Sequence, residues 1–217
     1  MFTALTYNFG DLRSKLNSFV ALAPVLQLGN SPNKLLRSMV KKKSQIRDVC
    51  LKTNFYEFLG NGYDKAGSIV CLYLPCELFD YIDPKYNRAD AAQLSRKRPS
   101  SNASLKQLVH FAQLMKDKKF ELYNYETTAK NRKLYGSRNP PIIDIKKIKD
   151  VPIAMFVGKQ DELANPTDAR WARDQLKSEM AHYEEIDQFD HSSFNIGKDL
   201  SYFERVISVV KVFNPLL

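Results

Sequence analysis

The sequence predicts an α/β fold, with parallel strands flanked by helices and a long helical insertion between two of the strands. Three observations carry that expectation. The apolar runs at 19–25 (Phe-Val-Ala-Leu-Ala-Pro-Val) and 153–157 have the texture of strands covered on both faces, as parallel strands are. The C-terminal part alternates strand, helix, strand, helix, the order from which parallel sheets are built. Between the two runs, from 29 to 150, apolar residues recur at helical spacing, interrupted by Gly60-Asn61-Gly62, Pro75, Pro84, Pro99 and Pro140-Pro141.

Taken in order, Phe2, Leu5, Phe9, Leu12 and Leu16 fall at intervals of three and four and predict an amphipathic helix over 2–16. The strand at 19–25 should stop at Pro24, which has no N–H for a ladder. Ser101 to Ser104 can cap a helix whose buried stripe is Leu105, Leu108, Val109, Ala112 and Met115. Asn165 is an N-cap, Pro166 suits the first helical position, and Asp168 sits where the helix dipole favours negative charge. Ala169, Ala172, Leu176 and Met180 form that helix's apolar stripe. A short strand follows near 181–186. A last helix from about 200 sets Phe203, Val206, Ile207, Val210 and Phe213 on one side.

Composition narrows the function classes. A chain of 217 residues with a 44% hydrophobic fraction can bury an adequate core and is not a mostly disordered polypeptide. Three cysteines, Cys50, Cys71 and Cys76, are too few and too irregular for a disulfide scaffold, and no Cys-x-x-Cys suggests zinc. The formal charge of +9 is spread over Lys41-Lys42-Lys43, Arg96-Lys97-Arg98, Lys116 with Lys118 and Lys119, and Lys146-Lys147 with Lys149. No helix-turn-helix, RRM or zinc signature accompanies these runs, so a solvated basic surface is expected rather than a nucleic-acid site. Attraction to anionic lipid is the alternative. The opening residues have neither a basic n-region nor an unbroken apolar stretch, and no apolar run approaches a membrane span. Asn102-Ala103-Ser104 is a glycosylation sequon, meaningful only in a secreted protein.

Two residues stand out chemically. Asp161 and His191 each lie where an apolar strand gives way to a polar loop, acid first and histidine second. That is the order of the last two members of a Ser…Asp…His triad, in which the histidine takes the nucleophile's proton and the acid fixes its tautomer. No Gly-x-Ser-x-Gly occurs in the 217 residues. Ser31 and Ser137 lack the second glycine and the strand–helix context. Asp190 adjoins His191 and competes as its partner, but neighbours along a strand point to opposite sides, which favours Asp161. His110 is expected in a helix core and His182 on a strand; Cys71 and Cys76 are expected as buried thiols. Phe55, Tyr56, Phe58 and Leu59, then 69–74 and 78–82, supply apolar surface either for packing within the insertion or for an acyl-chain groove.

The chain resembles the acid lipases, the gastric and lysosomal lipase group of α/β hydrolases. The stretches that carry the resemblance are 19–25, His-Phe-Ala-Gln-Leu (110–114) and Phe-Glu-Leu-Tyr-Asn-Tyr (120–125). Asn131 through Tyr135 leading to Pro140-Pro141, the block at 151–166, and Phe-Asp-His (189–191) complete the set. The resemblance implies the C-terminal part of an α/β-hydrolase fold. Residues 1–28 and 151–217 would be a partial core, with strands six, seven and eight at 19–25, 152–157 and 181–186, and 29–150 a helical cap. Asp161 would be the triad acid and His191 the base, with no cofactor and no metal. The nucleophile elbow and oxyanion hole would belong to a stretch just before Met1, so the nucleophile Ser is absent and the isolated chain is expected to be inactive.

The implied activity is hydrolysis of lipid carboxylic esters, acylglycerols or sterol esters, at a membrane or lipid-droplet surface, in a lysosomal or secreted setting. The alternative is a non-catalytic lipid-binding or regulatory module using the apolar insertion and the basic patches. Nucleic acid is not expected as a partner. An unpaired edge on the strand at 19–25 would favour self-association. The chain departs from the family's pattern at Ser193, where an Asp is usual, and at Asn165, where Ala-Asp-Pro is common. Cys71 and Cys76 are too close in sequence for the family's cap disulfide to be carried over.

Overall fold

The computed structural model describes residues 1–54, 57–58, 82–91 and 103–214. Its centre is a three-stranded sheet of β1 (Phe19–Leu22), β4 (Ile153–Gly158) and β5 (Met180–Ile186), in the order β1-β4-β5. All pairs are parallel: Phe19 faces Ile153 and Leu22 faces Phe156, while Ala154 faces His182 and Gly158 faces Ile186. β4 is buried at every position, as the middle strand of a covered parallel sheet must be. Among the described residues the outer edge of β1 has no strand partner. β1 ends sooner than its apolar run. The Ala23 N–H bonds Phe156 O at 2.9 Å, Ala23 then turns left-handed at φ 46, and Pro24 has no N–H to continue the ladder.

Alternate residues of β4 enter opposite layers. Ile153, Met155 and Val157 pack with Phe2, Leu5, Ile145, Ile148 and the Ala169, Ala172 and Leu176 stripe of a following helix, α5 (Pro166–Gln175). Ala154 and Phe156 face Phe189, Phe194 and Tyr202 on the other side. Helices therefore cover both faces, the arrangement expected of an α/β sheet. The predicted cap of α5 is present: Asn165 accepts from Thr167 N at 2.9 Å, with Pro166 in the first turn.

The helix expected over 2–16 is interrupted. α1 (Phe2–Tyr7) stops at Asn8, and Asn8, Gly10 and Asp11 all take positive φ (50, 60 and 58), which no right-handed helix can pass through. Two 3₁₀ turns, Phe9–Asp11 and Arg13–Lys15, carry the chain on. The Arg13 guanidinium donates to Leu5 O and Thr6 O at 2.8 and 2.9 Å, satisfying carbonyls left open at the helix end. Leu12 and Leu16 still pack on the core, whereas Phe9 is exposed.

The last helix, α7 (Tyr202–Phe213), follows a single helical turn, α6 (Ser193–Ile196), and is rotated from the expected face. Tyr202, Val206 and Val209 meet the sheet, while Phe203 and Ile207 stay 46% and 50% exposed. The anchor is Tyr202, fully buried with its hydroxyl donating to Phe194 O at 2.6 Å. A buried Tyr hydroxyl needs a hydrogen-bond partner, and Phe194 O supplies it here.

Between β1 and β4 run α2 (Lys34–Lys52), a two-residue antiparallel ribbon of β2 (Glu57–Phe58) and β3 (Ala103–Ser104), α3 (Leu105–Asp117) and α4 (Thr128–Tyr135). The ribbon is an addition to the all-helical texture expected of the middle. α2 packs on α3, whose N-cap is Ser104, accepting from Gln107 N at 3.1 Å. Lys43 and Arg47 of α2 both pair with Glu126. The apolar stretches at 55–56, 59, 69–74 and 78–81, together with Cys71, Cys76 and the basic run 96–98, lie outside the described residues.

Candidate functional site

At the carboxyl end of β4 the backbone is threaded close to the loop after β5. A Cβ on Gly158 would sit 2.5 Å from Phe189 O, so only glycine permits this approach. Two bonds clamp the crossing: Lys159 N to Ile186 O at 3.0 Å and Gln160 N to Phe189 O at 2.9 Å. These contacts bring the loop bearing Asp161 against the loop bearing His191.

The His191 Nδ1–H donates to Asp161 Oδ2 at 2.9 Å. A carboxylate acceptor assigns the proton to Nδ1, so Nε2 carries the free lone pair. Asp161 is 1% exposed. Its other oxygen accepts from Leu163 N at 2.8 Å and Ala164 N at 2.7 Å, so the buried carboxylate is held by three donors. The His191 side chain remains 41% exposed, and among the described residues no hydroxyl or thiol is hydrogen-bonded to Nε2. Burial pulls the imidazole pKa down. The hydrogen bond and charge of Asp161, with the charge of Asp190, outweigh that effect and hold it above the ordinary value. The pair is a base with a fixed tautomer on a half-buried ring, and its Nε2 can accept a proton from a hydroxyl placed beside it.

Asp190 turns away from the imidazole. Its Oδ1 accepts from Ser193 N and Ser193 Oγ at 2.8 and 2.7 Å, and its Oδ2 accepts from Asn87 Nδ2 at 2.8 Å. Ser193 is thus wholly engaged within this loop. His110 places Nε2 2.8 Å from Glu121 O and its ring edge against Tyr123; burial lowers its pKa. His182 packs its ring on Phe156 beside Glu184. Ser31 donates to Glu162 O and Ser137 to Asn139 O, and Cys50 is a buried free thiol. Among the described residues no cluster of three or more potential metal ligands occurs.

Two contacts had no local signal in the sequence. Asn30 donates from its backbone N and its Nδ2 to Asp168, at 3.0 and 2.7 Å. Asp168, read from sequence as a dipole-compensating charge, is a buried acceptor with a pKa raised by burial. Asn87 joins Asp190 across 103 positions of chain. Asparagines at such separations carry no periodicity and complete no spacing motif. Only the folded arrangement identifies them.

No family model matches the chain. Gastric triacylglycerol lipase of Rattus norvegicus is 29% identical over 195 residues, covering 84% of this chain and 48% of that protein. The Mus musculus counterpart is 30% identical with the same coverage. Lysosomal acid lipase/cholesteryl ester hydrolase of Macaca fascicularis is 24% identical over 217 residues, covering 94% of this chain and 53% of that protein. Among solved structures, a Paleococcus ferrophilus monoacylglycerol lipase aligns with TM-score 0.49 and 17% identity, covering 98% of this chain and 65% of that one. The chain spans about half the length of the curated relatives it matches. Gastric and lysosomal lipases alike match most of its length, so the chain is similar to the acid lipases.

Proposed function

We propose that these residues supply the acid and the base of a Ser–His–Asp ester hydrolase acting on lipid carboxylic esters, acylglycerols or sterol esters. The observation that carries the reading is the bond from His191 Nδ1 to Asp161 Oδ2, made where two parallel strands end, with the imidazole only half-buried. In this reaction His191 takes the proton of an attacking serine hydroxyl as the acyl-enzyme forms, then returns it to the leaving alcohol. Asp161 holds the tautomer and stabilises the imidazolium. The names of the relatives support the substrate class, and in this reading the insertion between β1 and β4 is a cap.

The 217 residues contain no Gly-x-Ser-x-Gly, and no described serine meets His191. By themselves they are therefore assigned no hydrolysis beyond background. The test compares short- and long-chain fluorogenic esters with the 217 residues alone and with the chain extended by any in-frame coding sequence found upstream of Met1. Hydrolysis that appears on extension and disappears in His191→Ala supports the reading. Ester hydrolysis by the 217 residues that survives His191→Ala overturns it. Vesicle binding indifferent to His191→Ala, with no hydrolysis in either form, would favour a lipid-binding module instead.

A further inference from the structure

We propose that Asn87, carried by the segment inserted between β1 and β4, is a positioning residue for His191 and acts by holding the Asp190 carboxylate away from the imidazole. The proposal rests on the dyad reading above. Asp190 is the acidic side chain next to His191 in sequence, and Asp161 and Asp190 are the charged groups that act on the imidazole. A free Asp190 oxygen would compete with Asp161 for the Nδ1–H, turning the ring and misdirecting Nε2.

The structure removes that competitor with three donors. Ser193 N and Ser193 Oγ take Oδ1, and Asn87 Nδ2 takes Oδ2. The Ser193 hydroxyl also accepts from Asp190 N at 3.0 Å, closing a ring of bonds around the residue beside His191. Ser193 and Asn87 are both fully buried. Asn87 is the member supplied from outside the loop. It is tied in place by its second bond, Nδ2 to Asp83 O at 3.0 Å, and by its bridge to Gly197. Flanking backbone bonds, Arg88 N to Ile196 O at 3.0 Å and Lys198 N to Tyr86 O at 3.2 Å, dock the segment onto the histidine loop.

The amide's orientation is fixed chemically. Both of its neighbours are acceptors, so exchanging its oxygen and nitrogen would set oxygen against oxygen. Among the described residues its own Oδ1, which is buried, has no partner. A buried acceptor left without a donor is unfavourable, so the bonds made by Nδ2 are what hold this amide in place.

The experiment follows the His191 Nδ1–H proton by NMR in the 217-residue chain, measuring its exchange with water alongside the imidazole titration. In Asn87→Ala, exchange is expected to accelerate by about tenfold or more as the Asp161 bond opens, and the titration to move toward the ordinary histidine value. Arg88→Ala, which removes only an exposed side chain of the same segment, is expected to match the parent. In an Asp190→Ala background, Asn87→Ala should add no further acceleration, because the competitor is gone. Exchange unchanged in Asn87→Ala overturns the proposal, and so does equal acceleration with and without Asp190. Should Asn87→Ala fail to fold, Asp190→Asn keeps the side-chain shape and removes the charge that competes. Added to an Asn87→Ser chain, it should then restore slow exchange, and failure to do so overturns the proposal. No ester is involved, so these outcomes are independent of whether hydrolysis is observed.

Discussion

Asp161 Oδ2 receives the His191 Nδ1–H at 2.9 Å, while Asp161 Oδ1 is committed to Leu163 N and Ala164 N. The acid therefore has one oxygen for the loop and one for the base. In Asp161→Asn the amide oxygen can keep the two backbone bonds, which leaves an N–H₂ facing Nδ1. That would force the proton onto Nε2, the wrong tautomer for a base. In any form of the chain that hydrolyses esters, kcat should fall by about 10⁴-fold, with binding of substrate little changed. In the 217-residue chain, the His191 titration should move down, read by NMR. A full-rate Asp161→Asn enzyme would contradict the assignment.

The same interaction makes stability depend on pH. The folded pKa of His191 is raised, so the stabilisation is fully present below the unfolded-state value of about 6.5 and is lost as pH rises through the folded value. Urea unfolding of the parent and of His191→Gln, run at pH 5.5 and at pH 8.5 or above, should show a larger gap in midpoint at the acidic pH. A gap that grows with pH would reverse the sign and refute the linkage.

Gly158→Ala tests the crossing of the two loops. The new Cβ would sit 2.5 Å from Phe189 O and 2.9 Å from Phe189 C, both backbone atoms, so relief requires moving the chain just before His191. A cost of about 1–3 kcal/mol is expected from such overpacking, measured by denaturant midpoint. Faster exchange of the His191 Nδ1–H should accompany it. Wild-type stability together with an unperturbed Nδ1–H would show that the loops are less tightly apposed.

Phe156 lies at the centre of the sheet, fully buried among Phe189, Phe194 and Tyr202. Truncation in Phe156→Ala should cost about 3–5 kcal/mol, seen as a lower urea midpoint with an unchanged slope.

The outer edge of β1 presents backbone groups without a strand partner among the described residues, and Leu22 at its end is 38% exposed. Concentration-dependent self-association of the 217-residue chain is expected in sedimentation velocity, weakened in Leu22→Lys because a charge on an edge strand disfavours edge-to-edge pairing. A monomer across the micromolar range would remove this expectation.

By itself the sequence determined the elements whose signals are local. The strand expected at 153–157 follows from apolar texture and the one near 181–186 from its place after a helix, and both form, at 153–158 and 180–186; the start of α5 follows from Asn165 and Pro166, and the Asp161 and His191 positions from where strands give way to polar loops. Local signals misled where two residues compete for one role. The stripe over 2–16 ran through three left-handed positions, and the stripe of α7 chose Phe203 over Tyr202 because periodicity is blind to a hydroxyl's acceptor. Only the tertiary structure decided the meeting of Asp161 with His191, the diversion of Asp190 to Asn87 and Ser193, and the burial of Asp168 against Asn30. Those contacts join residues from 3 to 138 positions apart. The long-range ones leave no period in the sequence, because a hydrogen bond between distant loops constrains only its two ends, and the path between them is set by the sheet that brings those ends together.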